Sequence, residues 1–445
     1  MTHDSLTPFP VTIFWFRRDL RLFDNAALWA ALKAETPVLP IFIFDQNIID
    51  KLENKRDARV LFIHQGIAKI KKELEEIGSS LEVFYGRPLD VFRELVGKYQ
   101  IKEVYANRDY EPYAKERDKE MYEFLSGHNI AFKFHKDHVI FEKDEVTKDD
   151  KNPYTVFTPY SKKWKSQIND FFLKSYPTEK YQKNFLKCPP FKFLRLEEMG
   201  LVDFDFEFFP DRSVSMKIVE QYDKNRDFPG IRSTSHLGLH LRFGTVSIRQ
   251  LCNMAIIAES QQWLNELIWR DFYQMIIHHF PYSANQSFKP NYDRINWRND
   301  EKEFQAWCEG KTGYPIVDAG MRELNTTGFM HNRARMIVAS FLSKHLMIDW
   351  RLGEKYFAEK LLDYELASNV GGWQWVVGSG CDGAPYFRIF NPESQTKRFD
   401  PEKTYIKKWV PEFESESYPK PIVDHNFARK RCLEAFGLAM QKLPI

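Results

Sequence analysis

The run Asn369-Val370-Gly371-Gly372-Trp373-Gln374-Trp375, continued by Cys381-Asp382-Gly383-Ala384-Pro385-Tyr386-Phe387-Arg388-Ile389-Phe390-Asn391-Pro392, carries the most telling chemistry in this chain. Two indoles flank an amide just after a Gly-Gly break, and Asn369 stands four residues before the first indole. Indole is oxidisable, so a file of closely spaced tryptophans would pass an electron by hopping. A carboxamide donates or accepts a hydrogen bond as its partner changes redox and protonation state. Taken singly, each feature has a plainer account: a tryptophan belongs to the core, and Asn before Gly-Gly suits a turn or a helix cap. Glu266 and Arg270, four apart in the favourable order, would pair along a helix. Asn332 and Met336, also four apart, share one helix face.

Those residues need a scaffold, and the chain is long enough to build one of two or more domains. It has 445 residues, 43% of them hydrophobic. The first third alternates short apolar segments (Val11–Phe16, Val38–Asp45, Leu81–Tyr85, Glu103–Asn107, Ala131–His135) with amphipathic stretches such as Asp57 to Ile77. That alternation predicts an α/β domain over residues 1–140, a doubly wound, Rossmann-like parallel sheet with helices on both faces. Its crevice would lie beyond the carboxyl ends of the strands. No G-x-G-x-x-G or P-loop occurs, so ordinary dinucleotide or NTP binding has no support. Residues 141–212 read as an interdomain linker with a few short helices. Helical periodicity dominates residues 213–445, which predicts an all-α domain. The clearest helices are Ile248–Ser260, Trp263–His278, Gly313–Leu324, Asn332–Leu346 and Gly353–Leu362.

Composition narrows the compartment and the partners. Five scattered cysteines (Cys188, Cys252, Cys308, Cys381, Cys432) show no C-x-x-C spacing, which argues against disulfides or zinc and fits a reducing cytoplasm. No apolar run is long enough for a membrane span and no secretory signal stands at the start. The net charge of +2 gives nucleic-acid binding no support by itself; a basic face would have to be local. Aromatic content is 16%, with 11 Trp, and packing accounts for most of it but not for where the tryptophans fall.

Several separated motifs keep a common order: Phe16-Arg17-Arg18-Asp19-Leu20-Arg21 with Asp24-Asn25, Thr234-Ser235-x-Leu237, Asn265-Glu266-Leu267-Ile268-Trp269-Arg270, Gly313-Tyr314-Pro315-Ile316-Val317-Asp318-Ala319, His331-Asn332-Arg333, and the Asn369–Trp375 run. Over nearly its whole length the chain resembles the photolyase/cryptochrome family, most of all its class I cyclobutane pyrimidine dimer branch. The resemblance implies FAD in the helical domain and light-driven repair of UV-damaged DNA by a monomer with no protein partner and no metal. It implies an electron-transfer triad of Trp297, Trp350 and Trp373, and places Asn369 at flavin N5. Tyr222, Thr234, Ser235, His236, Leu237, Gly238, Trp263, Arg335, Asp363, Tyr364 and Glu365 would hold the cofactor. Thr234 and Ser235 suit its pyrophosphate, and an Arg335–Asp363 ion pair would lie beside its ring. Glu266, Trp269, Asn332, Met336 and Trp375 would form the lesion pocket, with Glu266 stabilising charge gained by the dimer. Arg226, Arg270, Arg333 and Gln395 would contact the DNA backbone.

The chain departs from the family pattern at Gly238-Leu239, where Ser-Pro is common, at Glu365, where Asp is common, and at Val370, where a second Asn is frequent. Glu111, in Tyr110-Glu111-Pro112-Tyr113, resembles the acid that holds a folate antenna in some relatives, whereas Ser283 to Lys289 does not match the folate pattern. Folate, deazaflavin, a second flavin or no antenna all stay open. A cryptochrome-type photoreceptor without repair activity is the main alternative; Asn369 and the lack of an extended tail beyond Ile445 favour repair. Repair of (6-4) photoproducts would call for histidines where Asn332 and Met336 stand, and a plain flavin electron carrier leaves Glu266 and Trp375 without purpose.

Overall fold

The structure is a computed structural model and describes residues 10–441. Strands β1 (Pro10–Phe16), β2 (Val38–Asp45), β3 (Glu82–Gly86), β4 (Gln100–Asn107) and β5 (Ala131–His135) form one parallel sheet in the order β3-β2-β1-β4-β5. A sheet covered on both faces buries its strands completely, and all eight residues of β2 are buried. The pleat sorts them into two cores. Phe14, Phe16, Phe42 and Phe44 pack with α1 (Ala26–Leu32) and α2 (Ala58–Glu76). Val11, Ile13, Trp15, Ile41 and Ile43 pack on the other face with α3 (Pro88–Lys98) and α4 (Pro112–Gly127). The strand order reverses between β1 and β4, so the crevice of this doubly wound sheet opens where Arg17 and Arg18 follow one strand and Arg108 and Asp109 the other. Strand β4 begins three residues before the expected Glu103, because Gln100 pairs with Pro10 of β1 although its own pattern is polar.

The chain divides into two compact units. The sheet unit takes the described residues up to Glu142, then Ile168–Arg212 and Leu237–Asn253. Its late segment is tied in by charge. Arg21 Nη2 lies 2.6 Å from Asp137 Oδ2, Arg249 Nη2 lies 2.8 Å from Asp137 Oδ1, and Arg249 Nε lies 2.9 Å from Asp24 Oδ1. All four side chains are buried. Burial works to raise the Asp137 carboxyl, but Arg21 and Arg249 outweigh it and hold it well below the ordinary range.

The helical unit takes Lys143–Gln167, Ser213–His236 and the residues from Met254 onward. The elements that matter below are α5 (Phe157–Gln167), α6 (Gln261–His279), α7 (Pro315–Thr327), α8 (Asn332–Ser340), α9 (Trp350–Lys360), α10 (Leu366–Val377) and α11 (His425–Met440). Their ends follow local chemistry. Asp349 caps α9 by accepting from Arg351 N at 3.0 Å, and α7 starts on Pro315 and stops at Gly328 in the left-handed region. Helix α8 was expected to run to Leu346 but widens into a π-turn at Phe341–His345. That turn tucks the fully buried Lys344 inward, where its Nζ donates to Arg388 O at 2.8 Å. Among the described residues, no helix is long and apolar enough to cross a membrane.

Candidate functional site

Helix α10 has two unlike sides. Val370, Trp373, Val376 and Val377 are buried in the core, while Ser368, Asn369 and Gly372 are half-buried. A Cβ on Gly371 would collide with the Tyr273 ring of α6, so this glycine permits close helix packing. A Cβ on Gly372 would meet nothing within 4 Å. The second glycine therefore leaves open space beside Asn369. The Asn369 amide nitrogen is committed to Glu354, donating to Oε1 at 3.0 Å and to the backbone oxygen at 3.2 Å. That leaves its Oδ1 acceptor for a partner in the open space. Burial raises the Glu354 carboxyl, and the bonds from Asn369 and Tyr364 pull it partly back.

Of the three expected relay tryptophans, Trp350 and Trp373 belong to one hydrophobic core and Trp297 packs against it. Trp373 is 2% exposed and Trp350 1%, whereas Trp297 is half-buried and reaches solvent. Trp373 packs on Phe357 at 5.1 Å and on the fully buried Trp307 at 6.2 Å. A Cβ on Gly353 would collide with the Trp373 ring, and Gly353 lies one turn from Trp350 on α9. The Trp373 indole thus rests on the helix that carries Trp350. Its Nε1 is buried without a hydrogen-bond partner, so a proton held there has no acceptor at hand.

Charge surrounds the start of α8 and the adjoining face of α6. Arg335 Nη2 bonds Asp363 at 2.9 and 3.1 Å, and its Nε donates to Met330 O at 2.8 Å. Glu266 is ion-paired with Arg226 and also accepts from Gln262 Nε2 at 2.9 Å. Arg333 bonds Asp227 at 2.6 Å and lies over Phe399 at 4.1 Å. Asn332 is exposed and Met336 half-buried, one turn on.

The plain helix pairing fails here: Glu266 is not the partner of Arg270, because Arg270 bonds Glu365 at 2.9 Å, and both are buried. The Arg270 guanidinium is thereby tied to the residue that opens α10. The acid at 365, a longer side chain than the common Asp, reaches both Arg270 and the Ser368 hydroxyl, the latter at 2.9 Å.

The remaining expected contacts are placed as follows. Tyr222, Thr234 and Ser235 are half-buried, and burial pushes the Tyr222 phenol up. His236 has φ 54° and stacks on Phe329 at 4.1 Å. Trp263 is buried. Leu237 and Gly238, at the start of a short helix, belong to the sheet unit. Trp375 is half-buried with Arg388 at 5.7 Å from its ring, and Gln395 is half-buried. In the sheet unit Glu111 is engaged by Arg18 at 3.4 Å and Arg242 at 3.0 Å. Hydroxyls, an amide acceptor beside open space, and an anchored guanidinium are a donor set that fits an anionic dinucleotide with a flat ring. Sequence reasoning missed Glu354, Gly353, Asp227 and Phe157. None carried a local signal: Gly353 reads from sequence as the first residue of its helix, and only the earlier start at Trp350 places it inside.

Two family models match the chain: one described as DNA photolyase over residues 12–180 and one described as the FAD binding domain of DNA photolyase over residues 263–416. A Synechococcus protein named deoxyribodipyrimidine photo-lyase is 35% identical over 461 residues, spanning 94% of this chain and 95% of the relative. A solved class III photolyase from Agrobacterium tumefaciens superposes with a TM-score of 0.87 at 33% identity, covering 99% of each chain. A solved archaeal photolyase from Sulfolobus tokodaii with two FAD molecules gives a TM-score of 0.76 at 32% identity, covering 96% of this chain and all of the other.

Proposed function

The chain belongs to the photolyase/cryptochrome family, and from that premise we propose that it splits cyclobutane pyrimidine dimers in UV-damaged DNA, as a carbon–carbon lyase powered by light. Bound FAD supplies the light-driven one-electron chemistry. The protein's task is to position, to exclude water and to set the local charge.

Asn369 offers its Oδ1 to the ring edge and is kept from rotating by Glu354. Arg335, fixed by Asp363, offsets the negative charge of the reduced cofactor. Thr234 and Ser235 take the pyrophosphate, with Tyr222, His236, Trp263, Tyr364 and Glu365 around the rest. Glu266 and Asn332 meet the carbonyl and N–H groups of an extrahelical dimer, while Trp269, Met336 and Trp375 pack its apolar faces. Because Glu266 is already bonded to Arg226, it is the pair that faces the charge gained by the dimer. Arg333 and Gln395, with Lys397 and Arg398 nearby, contact phosphates and carry no base reading. Trp373, Trp350 and Trp297 bring electrons inward from solvent when the cofactor has become oxidised.

The observation that carries this reading is the split character of α10. One turn presents Asn369 and Gly372 to open space and sends Trp373 into the aromatic core. The sheet unit is open to a second, light-gathering chromophore (folate, deazaflavin or flavin) or to none, and its Glu111 is engaged by two arginines. Among the described residues the five cysteines form no disulfide, a pattern that suits a monomer working in the cytoplasm. The deciding experiment incubates the FAD-loaded protein with a thymine-dimer oligonucleotide, in blue light and in darkness. Dimer loss in light only is expected; a flavin-loaded protein that leaves the dimer intact under illumination overturns the proposal.

A further inference from the structure

Phe157 stands in the stretch expected to be linker, yet it forms a close, flat ring pair: its ring lies 3.7 Å from Trp269 with an interplanar angle of 3°. The contact is held from several directions. The Phe157 N–H donates to Asp382 Oδ2 at 3.0 Å, in the loop that follows α10. Along α5, Tyr160 packs on Phe272 at 5.1 Å, Ser161 Oγ reaches Asn265 at 3.5 Å, and Trp164 Nε1 donates to Asp271 at 3.0 Å. Phe272 also meets both Phe157 and Trp269 edge-on.

The helix geometry shows which face of the indole Phe157 covers. At 100° per residue, Asn265 and Phe272 project about 40–60° to one side of Trp269 on α6, and Glu266 about 60° to the other. Helix α5 approaches on the Asn265 and Phe272 side. Phe157 therefore backs the indole, and on the side of Glu266 the ring of Tyr273, about 40° round the helix, lies 5.3 Å from it at a tilt of 33°.

We propose that Phe157 is a positioning residue for lesion recognition. It clamps the plane of Trp269 from behind, so that the indole and the adjoining Tyr273 ring form a fixed wall for the apolar side of the dimer. The 143–167 segment thereby becomes part of the binding pocket. This rests on the reading of Trp269 as a lesion-facing residue. A platform already held flat need not be ordered when the dimer enters, so the gain appears in damaged DNA alone.

The test compares the FAD-loaded wild type with Phe157→Leu and Phe157→Tyr, measuring affinity for a single-stranded thymine-dimer oligonucleotide and for its undamaged twin. Phe157→Leu is expected to weaken dimer binding by roughly 2- to 10-fold, the worth of one aromatic pair. Its flavin content and its affinity for undamaged DNA should stay at wild-type values, and Phe157→Tyr should retain dimer affinity. If Phe157→Leu sheds its flavin, Phe157→Met carries the same comparison. Equal preference for the dimer in wild type and a flavin-loaded variant overturns the role of Phe157 and leaves the repair reading intact. A wild type that does not prefer the dimer overturns both.

Discussion

Asn369 and Trp373 are one helical turn apart and serve opposite ends of the same chemistry. The amide keeps an acceptor at the open face, and the indole enters a hydrophobic core against which the half-buried Trp297 packs. Trp373→Phe should abolish light-driven reduction of oxidised flavin, followed by absorbance under blue light, while chemically reduced enzyme repairs at the wild-type rate. Undiminished photoreduction removes the relay assignment. Glu266→Gln should cut the repair yield several-fold without loss of flavin, because it takes a negative charge from the Arg226 pair and alters the field at the dimer. At this scale the residues within contiguous motifs were legible, and the Arg335–Asp363 pair is present as the resemblance implied. Their partners were not. Glu354 meets Asn369 across 15 positions and Arg270 meets Glu365 across 95, so a four-residue spacing rule pointed Arg270 to the wrong acid.

The elements position these side chains through a few close approaches. Gly353 lets the Trp373 indole lie on α9, and Gly371 lets Tyr273 lie on α10. Gly353→Ala should overpack that contact and cost about 1–3 kcal/mol, read as a lower denaturation midpoint. Adding Trp373→Phe, which has the smaller ring, should recover part of the loss; no recovery would separate the two residues. The strands were readable because a sheet covered on both faces needs continuous apolar runs, and they lie within three residues of expectation. The π-turn after α8 was not, because its cause is tertiary: Lys344 finds the Arg388 carbonyl 44 positions away.

The sheet unit as a whole leans on one buried charge network. Asp137→Asn would leave Arg21 and Arg249 without their shared acid in the interior, and should cost about 3–5 kcal/mol. In the wild type the Asp137 carboxyl is lowered on folding. Its contribution is therefore complete above the ordinary Asp pKa of about 3.9 and fades as pH falls through that of the folded state. Urea unfolding at neutral pH measures the first effect, and a flatter acid limb in the variant measures the second. The alternation of strands and helices announced this unit. Nothing in local pattern announced that Leu237–Asn253 returns to it, since Arg242, Ser247 and Arg249 reach acids far back in the chain.

That return has a consequence for synthesis on the ribosome. Arg249 emerges 112 residues after Asp137 and 225 after Asp24, so the nascent sheet must wait with acids aimed at an absent cation. At about 5–20 residues per second the delay is several seconds or more, long enough for chaperones to engage the unfinished half.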